Sequence, residues 1–376
     1  MIQKLQRPTS GVAAVMLCAG MPWVASAAPA QPTDATEPAQ AIQPPSIASQ
    51  TAQATTSGSK ASAEHGDGPV QLHSVVVPGR APQSYRIPQT STATGTDTPA
   101  IDIPQSIQVI PKTVLRDQAA QSLADAVRNA PGVYVQQGEG NRDEFYIRGV
   151  KTKSDFFVDG LRDDSEYFRD LYNVSHIDVL QGPAALLFGR GGAGGIINLV
   201  TKQPERDRIR EFEFETGSYR HLRGTLDVGD AIGQSGAYRL LAMVENSSGF
   251  REHDYLHRYA INPKFSFQLG DRTQIDFGAS YLNDKRFADR GIPSQNGRPA
   301  NVSREKFFGS VEQNFAYSRV SAFNFRIKHQ LNDHIQLRNA FRVSENDRLY
   351  QNAYPASAVD NLGQLKMKAY HHPPTA

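Results

Sequence analysis

The sequence predicts an α+β domain followed by the first antiparallel strands of a transmembrane β-barrel, with an export signal and a polar linker in front. Three observations lead to this prediction: an N-terminus typical of exported proteins, mixed helix and strand patterns over residues 101–204, and two-residue alternation from Arg210 onward. The chain has 376 residues and a net charge of +2. Its length allows two or more domains, and its charge predicts no affinity for nucleic acid.

The first 28 residues have the order of a secretory signal peptide. Lys4 and Arg7 precede an apolar stretch over residues 11–24, and Ala-Ser-Ala at residues 25–27 forms a small-x-small cleavage site. A membrane anchor is the alternative, but the apolar stretch is too short to span a bilayer comfortably. The single cysteine, Cys18, falls inside this segment, so the exported protein is predicted to have no disulfide and no cysteine-bound metal.

Polar low-complexity sequence surrounds one short apolar segment. Residues 29–71 are rich in small and polar residues and are predicted to be a disordered linker, because they cannot bury enough apolar surface to offset the entropy of ordering. Residues 80–100, rich in Pro, Thr and Ser, are predicted to be a second linker. Residues 72–79 lie between them and are β-prone. This segment begins with Leu72, His73, Ser74, Val75, Val76 and Val77.

Residues 101–204 show the patterns of a mixed domain. A strand is predicted over residues 103–110, after which Pro111 is suited to the first turn of a helix. Ser122 is the predicted N-cap of a second short helix, with Asp125 in its first turn. Further strands are predicted over residues 133–136, 145–149, 155–158, 177–180 and 196–201.

From Arg210 onward, apolar residues alternate with polar and often charged residues. The alternation predicts about seven strands, over residues 210–216, 222–228, 238–244, 258–267, 274–281, 323–328 and 335–343. Tight connections alternate with long loops, and the polar face is heavily charged, as in the hydrated lumen of an outer-membrane barrel. A soluble β-sandwich also alternates and remains the competing interpretation.

A glycine-rich stretch joins the last two strands of the mixed domain. Gly189, Gly191 and Gly194 have the spacing of a dinucleotide-binding loop, but such a loop opens a helix, and a strand is predicted directly after this one. The better explanation is structural, because glycines allow backbones to pass closely between strands.

Five motifs in order make the chain similar to TonB-dependent outer-membrane siderophore receptors. The motifs are residues 103–110, the Leu-x-x-Ala to Pro-Gly-Val run at 123–133, Phe-Tyr-Ile-Arg-Gly at 145–149, Phe-Val-Asp-Gly at 157–160, and residues 174–198. Residues 101–106 and the loop segment at 289–293 look most like the Fiu-like catecholate siderophore receptors of this family.

The resemblance implies that residues 101–204 form a plug domain and residues 205–350 form part of the surrounding barrel. Residues 72–79 look like the TonB box, which would bind TonB and its inner-membrane proton-motive complex; an incidental apolar patch is the alternative. The protein would be in the outer membrane in contact with lipid. Iron would arrive already bound in a ferric siderophore, so neither a cofactor nor protein metal ligands are expected.

An anionic iron chelate is expected to bind cations and aromatic rings. The candidates in predicted outward loops of the plug are Arg142, Arg162, Tyr167, Phe168 and Arg169. The candidates in barrel loops are Arg251, Tyr255, Arg286, Phe287, Arg290 and Arg298.

Other functions compete with this prediction, and the barrel itself is predicted to be incomplete. A receptor of the same fold for haem, vitamin B12, a metal complex or a sugar is the main alternative, whereas a signalling receptor would need a folded domain where residues 29–71 are low in complexity. No catalytic set is present, so an enzyme is not expected. Plugged transporters have about 22 strands, so about seven strands and an irregular tail at 351–376 predict a truncated, non-functional chain, or a barrel completed by a second protein.

Overall fold

The computed structural model describes residues 85–137, 139–189 and 192–372. The predicted signal peptide, the linker at 29–71 and the predicted TonB box lie outside the described residues, so those predictions are untested.

The first part of the described chain is the predicted plug region, which contains short strands and helices. In chain order its elements are β1 (Gln89–Thr90), β2 (Thr98–Pro99), a 3₁₀ turn (Ala100–Asp102), β3 (Ser106–Pro111), α1 (Lys112–Asp117), α2 (Leu123–Val127), β4 (Val133–Gln136), β5 (Glu144–Ile147), β6 (Val150–Thr152), β7 (Phe156–Val158), β8 (Leu161–Arg162), β9 (Val174–Gln181), α3 (Ala185–Phe188) and β10 (Gly195–Thr201). The strands predicted from the sequence are all present, with boundaries shifted by a few residues.

A five-stranded sheet in the order β3-β9-β10-β7-β8 forms the centre of the plug region. β9 pairs antiparallel with β3 and β10, β10 pairs parallel with β7, and β4, β5 and β6 form a second small sheet. The core between these elements is apolar, and the rings of Phe145 and Phe156 meet edge to face at 5.5 Å. Full burial of such side chains is the main source of stability for this region.

Two local features predicted from the sequence have clear physical causes. The Ser122 side chain accepts a hydrogen bond from the Asp125 backbone, and the Asp125 side chain accepts one from the Ser122 backbone, so α2 begins with a capping box. In the glycine-rich stretch, a Cβ on Gly195 would lie 2.1 Å from the Leu180 carbonyl oxygen. Glycine is therefore required there for β9 and β10 to pair.

The described part of the predicted linker at 80–100 is ordered, which corrects that prediction. β1 and β2 pair with each other, and Ala93 between them is buried. Thr90 Oγ1 donates to Asp178 Oδ2 at 2.8 Å, and the Thr92 hydroxyl donates to the same oxygen. Composition indicated a linker because few residues are apolar, but these threonines order the segment by hydrogen bonding to a buried carboxylate.

The second part of the described chain is one antiparallel sheet of long strands, here called the long-strand sheet. Its strands and one small hairpin (β16 and β17) are β11 (Ile209–Gly217), β12 (His221–Ile232), β13 (Gly236–Ser247), β14 (Leu256–Leu269), β15 (Thr273–Phe287), β16 (Ser294–Gln295), β17 (Arg298–Pro299), β18 (Phe315–Asn332), β19 (Ile335–Pro355) and β20 (Met367–His372). The sheet order is β11-β12-β13-β14-β15-β18-β19-β20.

The long-strand sheet has eight strands within the described residues, whereas about seven were predicted. β20 pairs with the end of β19 from Pro355 to Tyr350, and both segments extend into residues 351–376, which were predicted to be irregular. That prediction was wrong because β20 is only six residues long and has no clear alternation, and pairing with its neighbour defines it.

Connections between the long strands differ in length at the two ends of the sheet, as predicted. Residues 233–235, 270–272 and 333–334 form tight turns at one end. Residues 248–255, 288–314 and 356–366 form longer loops at the other, which is called the long-loop end below.

The two faces of the long-strand sheet have the opposite polarity to a soluble sandwich. Arg223, Glu245 and Arg258 are buried on the inner face, whereas Phe212 on the outer face is 71% exposed. A soluble β-sandwich buries its apolar face, so this alternative is not supported. Other exposed apolar residues on this sheet are Phe214, Val244, Tyr259, Ile261, Phe323, Phe341 and Val343.

None of the helices in the described residues is both long enough and apolar enough to cross a membrane.

Candidate ligand site

A cavity of ≈ 450 Å³ lies between plug loops and the long-loop end of the long-strand sheet. Loops after β4, β6 and β8 contribute its plug side, and β19, β20 and the loop after β15 contribute its other side. The lining residues are Glu139, Asn141, Arg142, Lys153, Glu166, Arg290, Arg348, Tyr350, Tyr354 and Tyr370.

The cavity lining combines positive charge with aromatic rings. Four cations face two carboxylates, so the lining has a net positive charge. The Arg290 guanidinium lies 4.4 Å from the centre of the Tyr354 ring, and the rings of Tyr350 and Tyr370 are 6.0 Å apart. This chemistry suits an anion that also presents aromatic surface.

Glu166 is the carboxylate on which the cavity's cations converge. Arg348 Nη1 lies 2.7 Å and Arg142 Nε 3.9 Å from Glu166 Oε2, and Lys153 forms an ion pair with the other carboxylate oxygen. Burial by itself would raise the Glu166 pKa, but hydrogen bonds from Lys153 and Arg348 and the nearby positive charges lower the pKa to about 2. Glu166 is therefore ionised at neutral pH.

Two of the predicted ligand residues line this cavity, and two line a small cleft beside it. Arg142 and Arg290 belong to the cavity, while Phe168 and Arg286 line the cleft. The Arg286 guanidinium lies 3.9 Å from the centre of the Phe168 ring and is paired with Asp284. Asn141, Glu166, Arg348 and Tyr350 line both spaces, so the cleft adjoins the cavity.

Three further predicted residues link the long loops to each other and do not line the cavity. Arg251 forms an ion pair with Asp289 and donates to the Arg304 carbonyl oxygen at 2.7 Å. The rings of Tyr255 and Phe287 are 5.9 Å apart. These contacts tie the loop at 248–255 to the loop at 288–314.

Tyr167 and Arg169 are buried inside the plug region, which corrects their prediction as ligand residues. Arg169 Nε lies 3.0 Å from Asp163 Oδ2, Arg169 Nη1 lies 3.4 Å from Asp143 Oδ2, and its guanidinium stacks on the Phe156 ring. The Tyr167 hydroxyl donates to Asp163 at 2.7 Å. Both side chains are buried against these partners, and neither lines the cavity.

Arg162 and Arg298 also lie away from the cavity lining. Arg162 donates to the carbonyl oxygens of Ser154 and Phe188, each at 3.0 Å. Arg298 is exposed in the hairpin of β16 and β17. Both were predicted in loops, but Arg162 lies in β8 and Arg298 in β17, and neither side chain reaches the cavity lining.

Sequence reasoning missed eight of the ten residues that line the cavity. Lys153, Arg348, Tyr350, Tyr354 and Tyr370 were not among the predicted residues, although all five line it. Arg348 was hidden because it lies in the extension of β19 beyond its predicted strand. Tyr354 and Tyr370 lie in the tail that was predicted to be irregular. The one available signal was the tyrosine spacing at 350 and 354.

A second cluster of charges joins the plug region to the long-strand sheet. Arg223 binds Asp170 through two hydrogen bonds of 2.7 and 2.9 Å, and Arg258 Nη1 lies 3.1 Å from Asp170 Oδ2. Glu245 pairs with both arginines at 2.7 and 2.8 Å. Burial would raise the Asp170 pKa, but the charges of Arg258 and Arg223 hold it below its usual value. The four groups form a buried quartet with balanced charge.

In the part of the chain that the structure describes, no three His, Cys, Asp or Glu residues are grouped as metal ligands.

The fold and the site agree with one family of proteins. Residues 99–196 match the family model of the TonB-dependent receptor plug domain. The chain belongs to the TonB-dependent receptor family, and the relatives described next include siderophore receptors. These relatives are receptors, not enzymes.

Curated relatives match most of this chain. The probable TonB-dependent receptor BfrD of Bordetella pertussis is 34% identical over 286 residues, which are 73% of this chain and 38% of the relative. The metal-pseudopaline receptor CntO of Pseudomonas aeruginosa is 33% identical and matches 74% of this chain and 39% of its own length. The catecholate siderophore receptor Fiu of Escherichia coli is 29% identical, and the match covers 77% of this chain and 40% of the relative.

Solved structures give the same result for the fold. The open form of Fiu from Escherichia coli superposes with a TM-score of 0.66 at 27% identity, covering 73% of this chain and 44% of the other. The siderophore receptor PiuA of Acinetobacter baumannii superposes with a TM-score of 0.71 at 26% identity, covering 77% of this chain and 43% of the other. The predicted family and plug domain are confirmed, and the chain spans about two fifths of the length of the curated relatives it matches.

Proposed function

We propose that this chain forms the plug and the first barrel strands of an outer-membrane receptor that imports a ferric siderophore of the catecholate type. The observation that carries the proposal is the cavity at the long-loop end, where four cations and three tyrosine rings meet. A ferric tris-catecholate is a multiply charged anion with aromatic rings, so this lining complements both of its features. Similarity to Fiu supports the catecholate assignment.

The location in the outer membrane is supported by the polarity of the long-strand sheet. Its inner face carries buried charges that contact the plug region, and its outer face exposes aromatic and β-branched side chains. Alternation of this kind suits strands with lipid on one side and a polar interior on the other.

The energy for import would come from TonB, acting on the segment from Leu72 to Val77. A short β-prone segment with polar flanks can add as an extra strand to the edge of a partner sheet. Val76→Pro removes a backbone N–H and is expected to abolish uptake while ligand binding is unchanged. Thr51→Pro, in the polar stretch at 29–71, is the control and is expected to leave uptake intact.

The experiment that tests the proposal measures uptake of radioactive iron in cells that express this chain together with the remaining strands of its barrel and lack their own siderophore receptors. Iron is supplied as a ferric tris-catecholate, a ferric hydroxamate or haem, to cells with and without TonB. We expect TonB-dependent uptake of the catecholate. Uptake that is independent of TonB, or uptake of the other compounds alone, would show that the proposal is wrong.

Two arginines between β15 and β18 provide a matched pair of variants that tests whether the cavity binds the ligand. Arg290→Ala removes a cation that lies over Tyr354, and a lost charge-assisted contact is expected to weaken ferric tris-catecholate binding by roughly tenfold. Arg298→Ala removes an exposed cation from the same loop, outside the cavity lining, and is expected to leave binding unchanged. Equal effects of the two changes would contradict the assignment of the cavity.

A receptor for a different metal complex is the second candidate. The observation that favours it is the match to a metal-pseudopaline receptor, whose identity of 33% exceeds the 29% of the match to Fiu. Uptake of metal–pseudopaline, with no uptake of the catecholate, would favour this candidate.

A further inference from the structure

The cavity already contains a negatively charged group at the centre of its cations. The side chain of Glu166 is 18% exposed, and it pairs with Lys153 and Arg348 while Arg142 lies nearby. By contrast, Glu139 is 41% exposed and pairs with Arg142 alone among the cavity's cations. The two carboxylates of the lining therefore differ in position, because one lies between several cations and the other lies at the rim.

The loop that carries Glu166 is held on both sides by buried contacts. On one side, Arg169 donates to the carbonyl oxygens of Asp163 and Ser165 at 2.6 and 2.9 Å. On the other side, Asp170 belongs to the buried quartet with Arg223. A loop fixed at both ends cannot swing outward when a ligand arrives, so the carboxylate is expected to remain in the occupied cavity.

A carboxylate in this place has two opposite effects on an anionic ligand. It orients Lys153 and Arg348 by direct hydrogen bonds, which reduces the conformational entropy lost on binding. It also offsets part of their charge, which weakens the attraction for every anion in proportion to the anion's charge. The carboxylate therefore lowers the cavity's preference for anions over neutral ligands, and the effect is larger for an anion of higher charge.

We propose that Glu166 is a specificity-determining residue, which limits the cavity's preference for anionic over neutral ligands by remaining among its cations. This inference rests on the proposed function for the identity of the natural ligand. Its central statement concerns the charge of the ligand and is testable with inorganic phosphate, which is not a siderophore.

The test compares the full wild-type chain with Glu166→Gln and Glu166→Asp, refolded in detergent micelles. Binding is followed by tyrosine fluorescence, because three tyrosines line the cavity. The probes are a ferric tris-catecholate, a neutral ferric tris-hydroxamate and inorganic phosphate at low ionic strength. For Glu166→Gln we expect roughly tenfold tighter binding of phosphate and a larger gain for the more highly charged catecholate, with the neutral chelate changed by less than about twofold.

The other variants separate the charge effect from a structural role. Glu166→Asp keeps the charge and is expected to bind the probes as the wild type does. Glu139→Gln also removes a lining carboxylate, but at the more solvent-screened rim, so its effect is expected to be much smaller. A Glu139→Gln effect equal to that of Glu166→Gln would overturn the inference, and so would equal changes for neutral and anionic probes.

The probes also distinguish this inference from the proposed function. If phosphate binds more tightly to Glu166→Gln but no variant binds the catecholate, the inference stands and the catecholate assignment fails. If the catecholate binds equally to wild type and Glu166→Gln, the assignment stands and the inference fails. Absence of binding of every probe to every variant would overturn both.

Discussion

The plug region and the long-strand sheet follow opposite rules of burial within one chain. In the plug region, Phe145, Phe156 and Ile197 are buried in an apolar core. In the long-strand sheet, Arg223 is buried while Phe212 is 71% exposed. The difference teaches that the plug lies against the charged face of the sheet. Its Asp170 carboxylate compensates the buried charges of the sheet's arginines.

One glycine in each region shows how differently a missing side chain can matter. In the plug, Gly195 has φ +141° and its missing side chain leaves room for the Leu180 carbonyl oxygen. In the long-strand sheet, a Cβ on Gly224 would meet Val244 Cγ1 at 3.6 Å, which is ordinary contact. A Cβ on Gly229 of the same sheet would lie 2.7 Å from the Tyr238 carbonyl oxygen, so the contrast belongs to the two positions and not to the two regions as wholes.

The largest effect is expected from adding a methyl group at these two glycines. Gly195→Ala places Cβ 2.1 Å from a backbone oxygen, so β9 and β10 must separate, at a cost of roughly 4 kcal/mol or more. Gly224→Ala is expected to change the free energy of unfolding by about 0.5 kcal/mol or less. Denaturant unfolding and protease resistance of the plug measure both. Equal losses of stability in the two variants would mean that the close contact between Gly195 and the Leu180 carbonyl oxygen does not require glycine.

The next largest effect concerns the buried quartet between the two regions. Asp170→Ala leaves Arg223 and Arg258 with Glu245 as their remaining partner in the quartet, so a buried positive charge is uncompensated and the expected loss is about 3–5 kcal/mol. The control, Asp102→Ala, removes an exposed carboxylate and is expected to cost about 0.5 kcal/mol or less. The measurement is the denaturant midpoint of the whole chain. If Asp170→Ala lowers the free energy of unfolding no more than Asp102→Ala does, the quartet contributes little to holding the plug.

The sequence allowed prediction of the elements whose signals are local. The N-cap at Ser122, the close approach of strands at the glycine-rich stretch and the two-residue alternation of the long strands each depend on residues that are near in the chain. The faces of the strands were also predicted correctly, because alternation assigns side chains to a face before any partner is known.

The candidate site was only partly predictable because it is formed by residues far apart in the chain. Arg142 and Arg290 were predicted, but Arg348 meets Glu166 across 182 residues. Arg169 was misassigned because an arginine in a polar loop looks solvated in the sequence. In the structure, Asp143 and Asp163 draw it inward.

The smallest effect is expected on the outer face of the long-strand sheet. Phe212→Ala removes a ring that is mostly exposed, so the free energy of unfolding in detergent micelles is expected to change by about 0.5 kcal/mol or less. The same truncation at Phe145, which is fully buried, is expected to cost about 3–5 kcal/mol. Denaturant unfolding of both variants gives the comparison. A loss at Phe212 as large as that at Phe145 would mean that this face packs against protein, and lipid contact along the outer face would then have to be abandoned.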